Sequence, residues 1–264
     1  MISFQIGASF AKQLIPVVGS SGTTALRLGL SGLLVLVLMR PWRSMPTRRA
    51  WPILLAYGVS LGAMNFVFYL ALRTLPLGIA VAIEFIGPLG VAVAASRRRI
   101  DYLWVALAAG GLLALLPITP SGRQLDPAGV AYALAAGVGW ALYIIFGQKA
   151  GAVHGAAAST WGMLIAALVV VPLGVADAGK ALFSTSVLPF GIAVAVLSSA
   201  LPYSLEMVAL RRLSTKAFGT LMSFEPAIAA VAGVLVLGER LTAGQWVAVS
   251  AIVIASIGTV TGER

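Results

Sequence analysis

Five ionisable side chains fall inside long apolar runs: Lys12, Arg27, Glu84, Glu206 and Glu225. A charge at the centre of a bilayer costs at least roughly 2.5–3.5 kcal/mol on insertion scales, so such residues face a polar interior, where they carry function or pair with one another. Glu84 is the most informative of the five. Pro88, four residues later, has no N–H and cannot bond the Glu84 carbonyl. One residue therefore offers a carboxylate and a freed carbonyl, both acceptors for an ammonium group or, for the carboxylate, a proton. The alternative is a structural pair with Lys12 or Arg27 across a helix bundle, and the residues leave both open. Glu225, beside Pro226 and expected near the middle of its helix, has the same two readings. Glu206, one turn from the end of its run and near Arg211 and Arg212, reads as an interfacial ion pair. Lys12 shares a helical face with Gln5 and Ser9 and is the expected partner of a substrate carboxylate, against snorkelling to the outer surface. Arg27 lies close to the outer end of its run, which favours a role at the surface.

Neutral groups fall on similar faces. Tyr57, Leu61, Met64, Asn65 and Phe68 follow a helical rhythm, as do Ser199, Tyr203 and Glu206, while Trp140 and Tyr143 are neighbours three residues apart. Apolar walls with a few oriented polar groups suit a small polar solute, although each aromatic taken singly is more often packing or an interfacial belt. The candidate substrate-binding set is Lys12, Tyr57, Asn65, Glu84, Trp140, Tyr143, Tyr203 and Glu225. Pro88 and Pro226 are candidate hinges. The chain has no cysteine and one histidine, His154, so neither a metal site nor a cofactor is expected.

The elements that must position these residues are membrane spans. The chain of 264 residues is 60% hydrophobic and 10% charged, against about 25% charged in soluble domains. Its apolar runs have the ~17–23 residues needed to cross a hydrocarbon core about 30 Å thick. Ten spans are expected, near 2–18, 21–39, 50–72, 77–95, 102–117, 127–147, 157–174, 187–209, 216–237 and 244–261. This is an all-α integral membrane protein; the ten-residue alternation of an outer-membrane barrel is missing. The net charge of +10 does not point to nucleic acid, because the basic residues sit in short loops. The N-terminus lacks the basic region and small-residue cleavage site of a signal peptide and reads as the first helix.

Loop charge sets the orientation. With the N-terminus inside, twelve basic residues are cytoplasmic: Arg40, Arg43, Arg48, Arg49, Arg97, Arg98, Arg99, Lys149, Arg211, Arg212, Lys216 and Arg264. Only four lie outside: Arg73, Arg123, Lys180 and Arg240. Both termini are therefore expected in the cytoplasm.

The stretch Tyr69–Pro88 recurs, shifted by 138 positions, as Met207–Pro226. Ala71, Leu72, Arg73, Leu75 and Pro88 fall on Ala209, Leu210, Arg211, Leu213 and Pro226. Trp104-Val-Ala aligns with Trp246-Val-Ala once four residues are inserted for Leu237–Arg240. Five spans separate equivalent points, and five is odd, so the halves, 1–118 and 126–264, have opposite topology. Inverted repeats with a site between them near the midplane are a plan of secondary transporters.

Long motifs carry a family resemblance: Gly7-Ala-Ser-Phe-Ala-Lys12, Gly22-Thr-Thr-Ala-Leu-Arg27, Tyr57-Gly-Val-Ser-Leu-Gly-Ala-Met-Asn65, Pro76-Leu-Gly-Ile-Ala-Val-Ala-Ile-Glu84, Gly147-Gln-Lys-Ala-Gly151, Ala200-Leu-Pro-Tyr-Ser-Leu-Glu-Met207 and Phe218-Gly-Thr-Leu-Met-Ser-Phe-Glu-Pro226. Spread over nearly the whole chain, they resemble the EamA repeats of the drug/metabolite transporter superfamily. The family's longer cytoplasmic N-terminal lead is absent. The resemblance implies ten helices, a bacterial inner-membrane location and efflux of amino acids, threonine- or homoserine-like, with methionine and aromatic amino acids as wider candidates. The expected partners are the substrate and the bilayer, with protons as a candidate coupling ion. Export of another small metabolite is one alternative. An intramembrane enzyme with Glu84 and Glu225 as a dyad is a second, but no nucleophile–base pair or metal ligands accompany them. A passive pore is a third, and two inequivalent halves speak against the rings of like residues that pores use.

Overall fold

The computed structural model describes residues 2–95, 100–115, 125–155, 157–200, 202 and 223–262, and every regular element among them is helical. In chain order these are α1 (Ile2–Met39), α2 (Trp51–Ala71), α3 (Leu77–Glu84), α4 (Ile86–Ala95), α5 (Asp101–Leu115), α6 (Pro127–His154), α7 (Ala157–Ala178), α8 (Leu188–Ala195), α9 (Glu225–Leu237) and α10 (Ala243–Gly262). Among the described residues, four stretches are long and apolar enough to cross a membrane: α1, α2, α6 and α7 with its extension to Phe183. Tyr203, Glu206 and most of the second copy of the repeat lie outside the described residues.

The first two expected spans run together in α1 and part at Gly19, whose φ of 71° and ψ of 171° put a kink between them. A side chain is strained in that conformation, so glycine marks the corner. The expected fourth span is divided into α3 and α4 at Phe85. The division follows from Pro88, which leaves the Glu84 carbonyl with no donor in the helix. The eighth widens into a π turn at Val196–Ala200. Glu225 is not in the middle of a helix, as the sequence suggested. Ser223 and Phe224 form a turn, and Glu225 opens α9 with Pro226 in its first turn. A proline is tolerated there because the first-turn N–H groups have no helical partner in any case. The breaks at Phe85 and Ser223 are 138 positions apart, the spacing of the repeat.

Polarity is distributed as lipid requires. Leu168 and Leu235 are 74% and 78% exposed, while Gln5, Thr23, Thr24, Ser31, Asn65 and Glu84 are buried. A bundle folded in water would place its large apolar chains and its carboxylates the other way round. Where helices meet, small residues let the backbones close up. Gly58 and Gly62 lie on Gly162, Ile165 and Ala166 of α7. Gly87 of α4 meets the backbone of Gly137 in α6, which in turn faces the Glu84 carbonyl.

The turn before α3 is tied to α6. Asp126 caps α6, accepting from the Ala128 and Gly129 N–H groups, each at 3.2 Å. A hydrogen bond from the Thr74 hydroxyl, opposed in part by lost hydration and aided by those two N–H groups, holds the Asp126 carboxyl below the usual carboxylate range.

Candidate functional site

The centre of the bundle is built around Arg27, which is 4% exposed. Its position is a correction to the sequence reading, which put it near the surface. Depth along the chain did not decide the matter; the kink at Gly19 and the face it presents turn the side chain inward. Arg27 Nε donates to Ser198 Oγ at 3.0 Å, and Nη1 donates to Asn65 Oδ1. The guanidinium lies 4.9 Å from the Phe4 ring centroid and 5.7 Å from that of Tyr69, within the range of cation–π attraction. Each partner is itself held. Asn65 Nδ2 donates to the Leu61 carbonyl at 2.9 Å, and Ser198 Oγ donates to that of Val194 at 2.6 Å. Gly7 makes the approach of Ser198 feasible, since a Cβ there would press on it.

Two carboxylates complete the centre. Glu84 ends α3, Glu225 starts α9, and both are buried. Glu84 interacts electrostatically with Glu225 and with Arg27. Gln5 Nε2 donates to Glu225 Oε1 at 3.2 Å, and Gln5 Oε1, buried, has no hydrogen-bond partner among the described residues. A buried acceptor without a donor is costly in a fold and useful in a site that takes a cation. The arrangement thus offers a planar guanidinium suited to a carboxylate, and two carboxylates and an amide oxygen suited to an ammonium.

The expected aromatics form walls. Tyr57 and Tyr143 stack with ring centroids 5.1 Å apart and hydroxyls at 3.4 Å. Trp140 meets Phe85, at the helix break next to Glu84, edge to face at 5.6 Å. Lys12 goes elsewhere. Its Nζ is 2.6 Å from Glu239 Oε1 and donates to the Leu75 carbonyl at 2.5 Å, so it joins the turn before α3 and not the end of it. The sequence reading missed Tyr69, Ser198 and Glu239. Tyr69 follows Asn65 by four residues on one face of α2, a signal that was available. Nothing local marks Ser198 or Glu239, which meet Arg27 and Leu77 from more than 160 residues away.

A groove of about 590 Å³ lies elsewhere, between α1, α7 and α8, lined by residues such as Leu33, Leu36, Leu164, Leu168 and Val171. It has almost no polar surface, so it cannot orient a zwitterion.

Comparison with known proteins places this arrangement. Residues 127–261 match the model of the EamA-like transporter family. The threonine/homoserine exporter RhtA of Escherichia coli (strain K12) is 55% identical over 264 residues, 100% of this chain and 90% of that protein. RhtA of Salmonella typhimurium (strain SL1344) is 55% identical over 259 residues, 98% of this chain and 88% of that protein. A protein of known crystal structure shares the fold with a TM-score of 0.63 at 18% identity, covering 98% of this chain and 95% of its own. The chain is a multi-pass membrane transporter, not an enzyme, and belongs to the EamA-like transporter family.

Proposed function

We propose that the protein exports amino acids of the threonine/homoserine kind across the bacterial inner membrane. Arg27 takes the substrate carboxylate, and Glu84, Glu225 and Gln5 Oε1 take the ammonium, with Asn65 and Tyr69 between them. The observation that carries this is a buried centre with both signs of charge, closed off by aromatic walls. The names of the close relatives agree with it. Lys12, the cation favoured from the sequence, is not in this set. Tyr203 stays a candidate from the sequence.

The mechanism we infer is alternating access between the halves 1–118 and 126–264. Contacts between helices fit a two-fold exchange. Residues 20–39 of α1 pack on α7, α3 on α9, and α5 on α10, all pairs that the repeat would make equivalent to themselves. The pairs α2·α6 and α1·α8 would then be each other's images. The matched breaks at Phe85 and Ser223, set by Pro88 and Pro226, act as hinges. Protons are the candidate coupling ion, through the carboxylates.

Two outcomes are expected. Purified protein in proteoliposomes should show saturable counterflow of labelled threonine or homoserine; movement only of solutes that are not amino acids would end this reading. Single cysteines replacing Lys180 and Arg240 should react with an impermeant thiol reagent added outside the cell, and cysteines replacing Arg43 and Lys149 should not. The reverse pattern would invert the topology.

A further inference from the structure

We propose that Glu239 is a positioning residue for transport. With Lys12 it forms a latch at the outer end that holds the first turn of α3, and breaking it frees the half-helix that ends in Glu84. This rests on the orientation and the alternating-access reading given above.

The latch joins three segments. Glu239 Oε1 and Oε2 accept from the Leu77 N–H at 3.1 and 2.8 Å, and Oε1 also meets Lys12 Nζ at 2.6 Å. Lys12 adds its bond to the Leu75 carbonyl. Leu77 is the first residue of α3, where N–H groups lack helical partners, and Pro76 before it has no capping side chain. A carboxylate from the loop after α9 therefore caps a helix of the other half, where the helix dipole also favours an anion. Local geometry aims it there. Gly238 takes a left-handed conformation, φ 65° and ψ 22°, and the Glu239 N–H turns back to the Gly233 carbonyl at 3.1 Å. Gly233 leaves the space that the carboxylate fills. The Lys12 and Glu239 side chains are only 19% and 13% exposed, so solvent and salt screen the pair less than a surface bridge.

The latch bears on the site through α3. From Leu77 to Glu84 is about 10 Å at 1.5 Å per residue, and α3 packs tightly on α9 through Gly78 and Ala230. The break at Phe85 uncouples α3 from α4. A short rod is thus fixed at its outer end by the latch, carries the site carboxylate at its inner end, and has a hinge just beyond it. Opening the outer side requires the first of these to let go.

The native chain has no cysteine, so Ser9→Cys provides a unique thiol. Ser9 is fully buried and sits on α1 between Gln5 at the charged centre and Lys12 at the latch. The full-length protein carrying it is labelled with an impermeant thiol reagent added outside. Glu239→Gln keeps an acceptor for Leu77 and loses the charge; Lys12→Met keeps the stem. Each should speed outside labelling by about tenfold or more as the open state gains population, and the double variant should add nothing further. Unchanged rates in both single variants, additive effects, or equal acceleration from the inner face would overturn the latch. Labelling needs no substrate. Faster labelling without threonine flux would overturn the proposed substrate and leave the latch standing; threonine flux with unchanged labelling would do the reverse.

Discussion

Arg27→Gln is expected to abolish most transport and to destabilise the bundle. Arg27 interacts electrostatically with Glu84, and its two side-chain bonds draw α2 and the π turn after α8 onto α1. Losing a charged donor that bonds neutral groups costs about 1.5–3 kcal/mol per bond, or about 10- to 150-fold in an equilibrium. Buried Glu84 would also lose the favourable field of the guanidinium, a further cost to stability. Arg27→Lys should rescue little, because an ammonium cannot bond Ser198 and Asn65 together as a planar fork does. Counterflow and thermal unfolding in lipid, measured on the same preparations, check both effects. The double variant Arg27→Gln/Glu84→Gln should regain part of the lost stability but none of the flux, since it removes a stranded charge without restoring a carboxylate site. Parent-like melting and flux in Arg27→Gln would show that the charge network is neither a site nor a support.

Glu84→Gln is expected to fold and insert while losing substrate affinity by about 10- to 150-fold, the value of a hydrogen bond between charged groups at ~1.5–3 kcal/mol. The substitution keeps the shape of the last residue of α3 and removes its charge. It also reports on coupling. If Glu84 carries the exchanged proton, the pH dependence of flux between about pH 5.5 and 8 should vanish in the variant along with affinity. If it only holds the ammonium, affinity should fall and the pH profile should keep its form. A variant equal to the parent in both would make Glu84 a structural counter-charge and leave Glu225 as the next candidate. The Phe85–Trp140 contact beside it is apolar and should be undisturbed, so protein yield serves as the control for folding.

What the sequence determined by itself is the class of the molecule and the places where its helices break. Apolar runs of membrane length leave a chain little choice but helix, because every backbone group in lipid must be bonded internally. Gly19, Pro88 and Pro226 carry their own geometry, since glycine tolerates a positive φ and proline lacks a donor. The join between the first two spans and a break at each proline could therefore be expected from composition and spacing, although the break at Pro226 falls at the start of α9 and not in mid-helix. Glu84 and Glu225 were legible as candidate site residues for the same reason: a carboxylate beside a proline inside the membrane needs a partner. Only the tertiary structure decided which cation that partner is. Along the chain Lys12 is the favoured cation and Arg27 reads as lying near the surface. Their fates depend on what faces them across the bundle: Glu239 of the loop after α9 for Lys12, and Asn65 and Ser198 for Arg27. A periodicity assigns a side chain to a face of its own helix. The partner is set by how helices far apart in sequence pack, and here small residues at Gly7, Gly78 and Gly233 decide it by letting those helices approach.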